Sequence, residues 1–254
     1  MKLRFAILSL FLVVAVAAAL GLAFSTLPGP QDVARQTGFD QKVRTYLLSH
    51  PEVLVEASSA LERRRTQRRV VERRRTLASF KRVIRGAGGL PVWGNPKGDV
   101  TVVEFFDYRC PYCKRSLSQL RQLVSSDRNL RVVFKEYPIL GPQSVLASEA
   151  AIASSAQGKY IEMHNALMSH RGQFDEKSVM ALARELGLDI DRLREDMDKP
   201  RVKATIAETR MLADRLAIAG TPAFVIGDEL LPGYADLVTL KKLVLQARIR
   251  CVTC

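Results

Sequence analysis

The sequence predicts an α/β fold built on a small sheet, and three observations carry that prediction. The run Val100–Phe106 is β-branched and aromatic, and within four residues it leads into a helix opened by Cys110-Pro111. Residues 130–137 form a second apolar run, separated from the first by that helix, so the two strands are expected to be parallel. Residues 144–219 then read as almost entirely helical and end in a β-hairpin, 223–227 and 229–232 about Gly227-Asp228, followed by a helix over about 236–250. The chain has 254 residues, 47% of them hydrophobic, which is enough for one domain with a sizeable core plus an appendage. Four cysteines are too few for a disulfide scaffold, and a single long uncharged stretch excludes a polytopic membrane protein.

Taken in order, the N-terminus reads as an export signal. Lys2 and Arg4 precede 19 uncharged residues, 6–24. Ala17 with Ala19, and Gly21 with Ala23, both place small residues as a cleavage site requires. At about 1.5 Å per residue the stretch is also just long enough to span a bilayer, so residues 1–24 are either a cleaved signal or an uncleaved anchor. In both cases the positive flank stays inside and the rest of the chain is exported, into a compartment where disulfides persist.

A basic helical stalk is expected over 31–86. Phe39, Val43, Tyr46 and Leu47 share a helical face, and Ser49-His50-Pro51-Glu52 has the form of a capped helix start. From Pro51 to Arg85 there is no glycine and no further proline. Leu47, Leu54 and Leu61 repeat by seven, as do Val70, Leu77 and Ile84, but the two runs are out of phase. These patches need a partner, either a second copy of the chain or the chain's own globular domain. The net charge is +13, of which +8 lies in residues 32–86 and +3 in residues 87–254. No aromatic side chain interleaves the arginine run 63–75, so it reads as a solvated helix face, with an anionic membrane surface as the alternative and nucleic acid excluded as a partner. Gly86-Ala87-Gly88-Gly89 is expected to end the helix, and Gly94–Asp99 to be a turn. Within the helical block, breaks are expected near Gly158, Gly172, Gly187 and Pro200.

The chemistry concentrates at Cys110-Pro111-Tyr112-Cys113. A lone CxxC can be redox-active, zinc-binding or structural. Here the first cysteine lies where a buried strand gives way to a helix N-terminus, whose unpaired N–H groups and dipole favour the thiolate that attacks disulfides. Cys113 is one turn further along, placed to resolve a mixed disulfide. Glu104 lies within the apolar strand and shares a face with 106 and 108, beneath the motif, where burial would raise its pKa and let it trade protons with Cys113. Gly220-Thr221-Pro222 opens the third strand. A proline there is unusual, and a cis Thr221–Pro222 bond would leave the Thr221 backbone to pair with an extended substrate.

The stretch from Glu104 to Cys113, with Thr221-Pro222 and the helical block between, resembles the DsbA-type periplasmic thiol–disulfide oxidoreductases. The resemblance implies a thioredoxin fold over 90–250 with an inserted helical domain at about 144–219. It implies Cys110 as nucleophile, Cys113 as resolving thiol, Glu104 as buried acid, and Pro111, Tyr112, Thr221 and Pro222 as the substrate-binding surface. It implies no cofactor and no metal. The partners it implies are cysteine-containing exported proteins and a membrane redox partner. The stalk is more like the oligomeric relatives, the suppressor-of-copper-sensitivity protein C group, and implies a homo-oligomer, most simply a trimer. Tyr112 stands where the monomeric oxidase has histidine, which points to a less oxidising disulfide and toward isomerase or reductase work.

Cys251-Val252-Thr253-Cys254 ends the sequence as an accessory thiol pair, a soft-metal site or a dispensable tail. A periplasmic thiol-based copper or zinc module is therefore the competing function, and a four-thiolate site joining both CxxC pairs would be its form. His50, His164 and His170 are expected to be surface or helix-packing residues rather than ligands.

Overall fold

The structure is a computed structural model that describes residues 30–86, 89 and 91–250. The expected export signal and the Cys251–Cys254 pair lie outside the described residues. The described residues divide into two compact units, with the boundary between Gln67 and Arg68.

In the first unit, α1 (Pro30–Ser49) ends where expected and α2 (Glu52–Ser79) starts after Pro51. The expected cap is not formed. The Ser49 hydroxyl turns back and donates to the carbonyl of Thr45 at 2.8 Å, closing α1 instead of opening α2. Phe39, Leu48, Leu54 and Val55 are all more than half exposed, so this unit keeps an uncovered apolar surface.

The second unit begins inside α2. The expected helix from Pro51 to Arg85 is interrupted at Phe80, after which α3 (Lys81–Arg85) sets off separately. The reason is burial: Leu77 and Ile84 are 3% and 1% exposed and join Val103, Phe105, Val133 and Val225 on one face of the sheet, with Phe80 packed against them. The second heptad patch is therefore covered by the chain's own globular domain, apart from Val70, which is exposed. Two cations of the sheet complete the junction. Lys135 Nζ donates to the carbonyls of Val83 and Gly86, and Arg131 to that of Arg85, satisfying the C-terminus of α3 where positive charge is favoured.

The sheet contains β1 (Trp93–Gly94), β2 (Val100–Phe106), β3 (Leu130–Glu136), β4 (Ala223–Ile226) and β5 (Glu229–Pro232), in the order β1-β3-β2-β4-β5. β2 and β3 are parallel, as α4 (Pro111–Ser126) between them requires, and the other pairings are antiparallel. β1 was not anticipated: Gly94 belongs to a two-residue edge strand against β3, not only to a turn. The strand that follows Pro222, β4, is an interior strand between β2 and β5. Gly227 takes φ +61° at the hairpin, a conformation glycine adopts without steric cost.

Period-two alternation divides the strands between two cores. Val100, Val102 and Phe106 face one core with Leu117, Leu120 and Leu123 of α4 and with Leu240 and Val244 of α10 (Leu237–Arg250). Val103 and Phe105 face the other. The helical block comprises α5 (Pro142–Ser154), α6 (Tyr160–Ser169), α7 (Glu176–Glu185), α8 (Ile190–Met197) and α9 (Pro200–Arg215), with a single 3-10 turn at Ser155–Gln157. Its breaks fall at the four expected places. Asp175 and Asp189 cap α7 and α8 by accepting from the N–H of Ser178 and Arg192.

Candidate active site

β2 and α4 place the two thiols. Cys110 is the N-cap of α4, with extended backbone (φ −73°, ψ 118°) and Pro111 in the first turn. Its N–H donates to the Asp107 carbonyl at 3.1 Å, and its own carbonyl accepts from Lys114 N–H at 3.1 Å. Both cysteines are reduced and buried, Cys110 at 5% exposure and Cys113 at 1%. Tyr112 is half exposed beside them, and the Arg115 guanidinium lies 5.3 Å from its ring and 5.6 Å from that of Tyr234.

The Thr221–Pro222 bond is cis. The Thr221 carbonyl lies 3.2 Å from Cys110 Sγ, where it accepts from the protonated thiol. The Pro222 carbonyl accepts from Gly233 N–H at 2.8 Å, which ties this loop to the end of β5.

The two thiols are pushed in opposite directions. Cys110 falls to about 6, first because the Cys113 thiol donates to its thiolate. Burial opposes this, but the Cys113 N–H, the Thr221 side chain and the Tyr112 N–H all favour the anion. Cys113 rises well above the ordinary thiol range, first through burial and then through its bond to Cys110, with ionisation beside Glu104 opposed further. Glu104 is 1% exposed, and its Oε1 has no hydrogen-bond partner. Burial, then the charges of Cys110 and Glu136, hold its carboxyl well above the usual range. All six residues that the sequence singled out around the motif, with Glu104, thus converge on the start of α4 and the loop before β4.

Two features were missed. Asp107, fully buried, is the acceptor for a whole corner. Its Oδ1 accepts from Arg109 N–H at 2.7 Å and Ser144 Oγ at 2.8 Å, and its Oδ2 from the N–H groups of Ile139 and Leu140 at 2.8 and 3.0 Å. It locks the loop before Cys110 to the start of α5. An aspartate between a buried strand and a helix start was the available signal.

The second is Glu136 at the end of β3. Its Oε1 accepts from Tyr108 and Tyr160 hydroxyls at 2.9 and 3.0 Å, and Tyr108 Oη is 3.2 Å from His164 Nδ1. Burial lifts Glu136 to about 8 and depresses His164 to about 3, so both are neutral near pH 7. His164 is a packed core histidine, 4.1 Å from the Phe134 ring. The parallel register pairs Phe106 with Glu136, so Glu104 and Glu136 share a face, and Glu136 adds to the effects that raise Glu104. The signal was a lone acid on the inward parity of an apolar strand.

Comparison with known proteins gives the same picture. Residues 101–244 match the DSBA-like thioredoxin domain, and residues 36–68 match the copper resistance protein ScsC N-terminal domain. A solved thioredoxin-like oxidoreductase from Silicibacter pomeroyi is 48% identical, with TM-score 0.62 over 63% of this chain and 93% of that one. A linker-deletion mutant of ScsC from Proteus mirabilis is 26% identical, with TM-score 0.66 over 89% of this chain and 99% of that one. A periplasmic thioredoxin-like protein from Salmonella enterica serovar Typhimurium is 27% identical, with TM-score 0.59 over 67% and 96%. Among curated relatives, the Na(+)/H(+) antiporter NhaA 1 of Salinispora arenicola is 34% identical over 158 residues, and the chain spans only 24% of its length. The thiol pair at the start of α4, the five helices set between β3 and β4, and a family match over more than half of the residues have one reading: the chain belongs to the DSBA-like thioredoxin domain family of thiol–disulfide oxidoreductases.

Proposed function

We propose that this chain exchanges disulfides in exported proteins through Cys110 and Cys113, and that its main work is to reshuffle wrong disulfides. The observation that carries the chemistry is the opposite displacement of the two thiols, with Cys110 at about 6 and Cys113 far above the ordinary range. Cys110 is thus a thiolate at neutral pH, while Cys113 holds its proton until Cys110 has reacted. The Cys110 thiolate attacks a substrate disulfide, one substrate sulfur leaves as thiolate, and a mixed disulfide forms. The freed substrate thiolate either attacks another disulfide, or Cys113 passes its proton to the ionised fraction of Glu104 and attacks Cys110 Sγ, releasing the reduced substrate and closing Cys110–Cys113. In the reverse direction a substrate thiolate attacks Cys110 Sγ, and Glu104, held protonated, gives its proton to the departing Cys113. A membrane redox partner resets the pair. Tyr112 and the Thr221-Pro222 loop flank the reacting sulfur as the substrate surface.

How strongly the thiolate is favoured supports one direction of electron flow over the other. A value of about 6 lies between the roughly 3.5 of a strong oxidase thiol and the roughly 7 of thioredoxin. The less the thiolate is stabilised, the less oxidising the disulfide, which supports shuffling over one-way oxidation.

Replacing Glu104 by Gln tests its part. A carboxyl whose folded pKa is raised contributes its stability below its ordinary range and loses it as pH rises through the folded value. Glu104→Gln should therefore leave stability at neutral pH unchanged or slightly higher, and flatten its decline on the alkaline side. Resolution of mixed disulfides, followed by quenched-flow alkylation, should slow by about 10²-fold. An unchanged resolving rate would remove Glu104 from the mechanism, and a large fall in Tm would make it a structural partner instead.

Assembly supports shuffling, because several Cys110 thiolates around one substrate can each attack a different one of its disulfides. The chain is proposed to assemble, as a trimer, through the exposed Leu54, Leu61 and the half-buried Leu47 of its first unit. The structure changes how this is tested. Deletion must stop at Gln67, because removing Leu77 and Ile84 would open the core under the sheet. Light scattering at micromolar concentration and physiological salt should show an oligomer for the chain carrying residues 31–67 and a monomer without them. Reactivation of scrambled disulfide substrate should fall with the loss of assembly while alkylation of Cys110 stays fast. A monomeric full chain, or undiminished reshuffling by the truncated one, would leave a simple oxidase or reductase.

A further inference from the structure

A cavity of about 530 Å³ opens directly beside Pro111. Three cations line it, Arg109, Lys114 and Arg171, together with the amides of Gln143 and Gln173, and no carboxylate does. Arg109 and Pro111 flank the nucleophile in sequence, so the cavity begins within one residue of Cys110. Two of the cations are held in place by neutral groups. The Arg109 guanidinium donates to the Leu140 carbonyl, and Lys114 Nζ donates to the His170 carbonyl and lies 5.2 Å from the centre of the Phe174 ring. Among the described residues none of the three lies within ion-pair distance of a carboxylate. Elsewhere in this unit Arg192, Arg194, Arg248 and Arg250 all sit against acids.

We infer that this cavity is a subsite for the carboxylate of a substrate peptide, and that it selects disulfides and thiols whose cysteine has an aspartate or glutamate one or two residues away. The inference rests on Cys110 being the reacting thiol. An extended peptide advances about 3.3 Å per residue, so a side chain one or two positions from the reacting cysteine reaches a cavity that starts at Pro111. Like charges gathered without a counter-ion repel one another, and an incoming carboxylate relieves that repulsion as well as pairing with each cation. Lys114 carries the mark of this: burial, then the charge of Arg171, holds it below the ordinary lysine range. The two amides and the Arg109 fork offer N–H donors in addition to charge, which suits a carboxylate better than a diffuse anionic surface. The Phe174 ring closes one wall and limits hydration of the pair.

Paired peptides test this without requiring turnover. Two short extended peptides, with Ser in place of the reacting Cys and differing only in Asp or Asn at the flanking position, are titrated into the full-length protein and followed by chemical shifts. The Asp peptide should bind about tenfold more tightly at low ionic strength, with the preference fading toward physiological salt and above. It should shift the resonances of Arg171 and Lys114, and Arg171→Gln or Lys114→Gln should reduce the Asp/Asn ratio by severalfold. Equal binding of the two peptides, no binding of either, or a ratio unaffected by both substitutions would overturn the inference. The same pair with Cys restored should show the preference in kcat/KM. If neither Cys peptide nor a small uncharged dithiol is turned over, the thiol-exchange reading fails, while the binding ratio still decides the subsite.

Discussion

Cys110→Ser should abolish reduction and reshuffling of disulfides, whereas Cys113→Ser should accumulate mixed disulfides with substrate. The asymmetry follows from the environments. Cys110 alone sits at the helix N-terminus with four groups favouring its anion, and Cys113 is nearly inaccessible at 1% exposure. Loss of Cys110 should return turnover to the uncatalysed rate, because a serine hydroxyl stays protonated at neutral pH and cannot attack sulfur. Alkylation gives the pH dependence directly. In the wild type one thiol should react fast, with a rate halved near pH 6 and falling about tenfold for each further unit of acidification, as the thiolate is lost. The linked stability has the same sign. A thiol depressed in the folded state stabilises the dithiol form above its ordinary range, and that contribution disappears as pH falls through about 6. Calorimetry of the reduced and disulfide forms between pH 5 and 9 should therefore show the reduced form gaining relative stability with rising pH. Full turnover by Cys113→Ser, or a reactive thiol titrating near 9, would refute the two-thiol mechanism.

The largest loss of stability outside the apolar core is expected at Asp107. Asp107→Ala removes the acceptor for three backbone N–H groups and the Ser144 hydroxyl at a fully buried position. Unsatisfied buried donors cost about 1–3 kcal/mol each, and the partly buried Arg109, Ile139 and Leu140 amides will recover some of that from entering water. A net loss of about 3–4 kcal/mol is expected, with Tm lower by roughly 10 °C. Asp107→Asn keeps one oxygen but turns an N–H₂ toward donors, so it should fall between the two. Activity measured well below the transition should also drop, because the same carboxylate fixes the turn that delivers Cys110 to α4. A Tm within 2 °C or so of wild type in Asp107→Ala would show that the corner is held by the surrounding chain instead.

Much of this protein is set locally and can be read from its residues. The β-branched run 100–106, the helix start at Cys110-Pro111 and the glycine and proline breaks of the helical block report backbone preferences that tertiary contacts did not override. Period-two alternation was enough to put Glu104 on the face of Cys113. The pairing of two chemistry-bearing segments more than a hundred residues apart, Cys110 with Thr221, was signalled only by an unusual strand-opening proline and by the resemblance, because no local pattern encodes which strands become neighbours.

Tertiary structure decided the rest. The heptad repeats 47/54/61 and 70/77/84 are alike in sequence, yet Leu77 and Ile84 are buried under the sheet and Leu54 and Leu61 are exposed. Periodicity states that an apolar face needs cover; only the three-dimensional fold states what provides it. Lys135 and Arg131 likewise read as ordinary strand residues until the end of α3 is laid across β3 and its carbonyls require donors. The roles of Asp107 and Glu136 depend on convergence of segments distant in the chain, as does the collection of Arg109, Lys114 and Arg171 around one cavity. The sequence alone determined which residues can ionise, attack or break a helix. Which of them share a solvent-poor space, and so shift one another's charge, was determined by folding, because electrostatic coupling depends on distance and dielectric rather than on position along the chain.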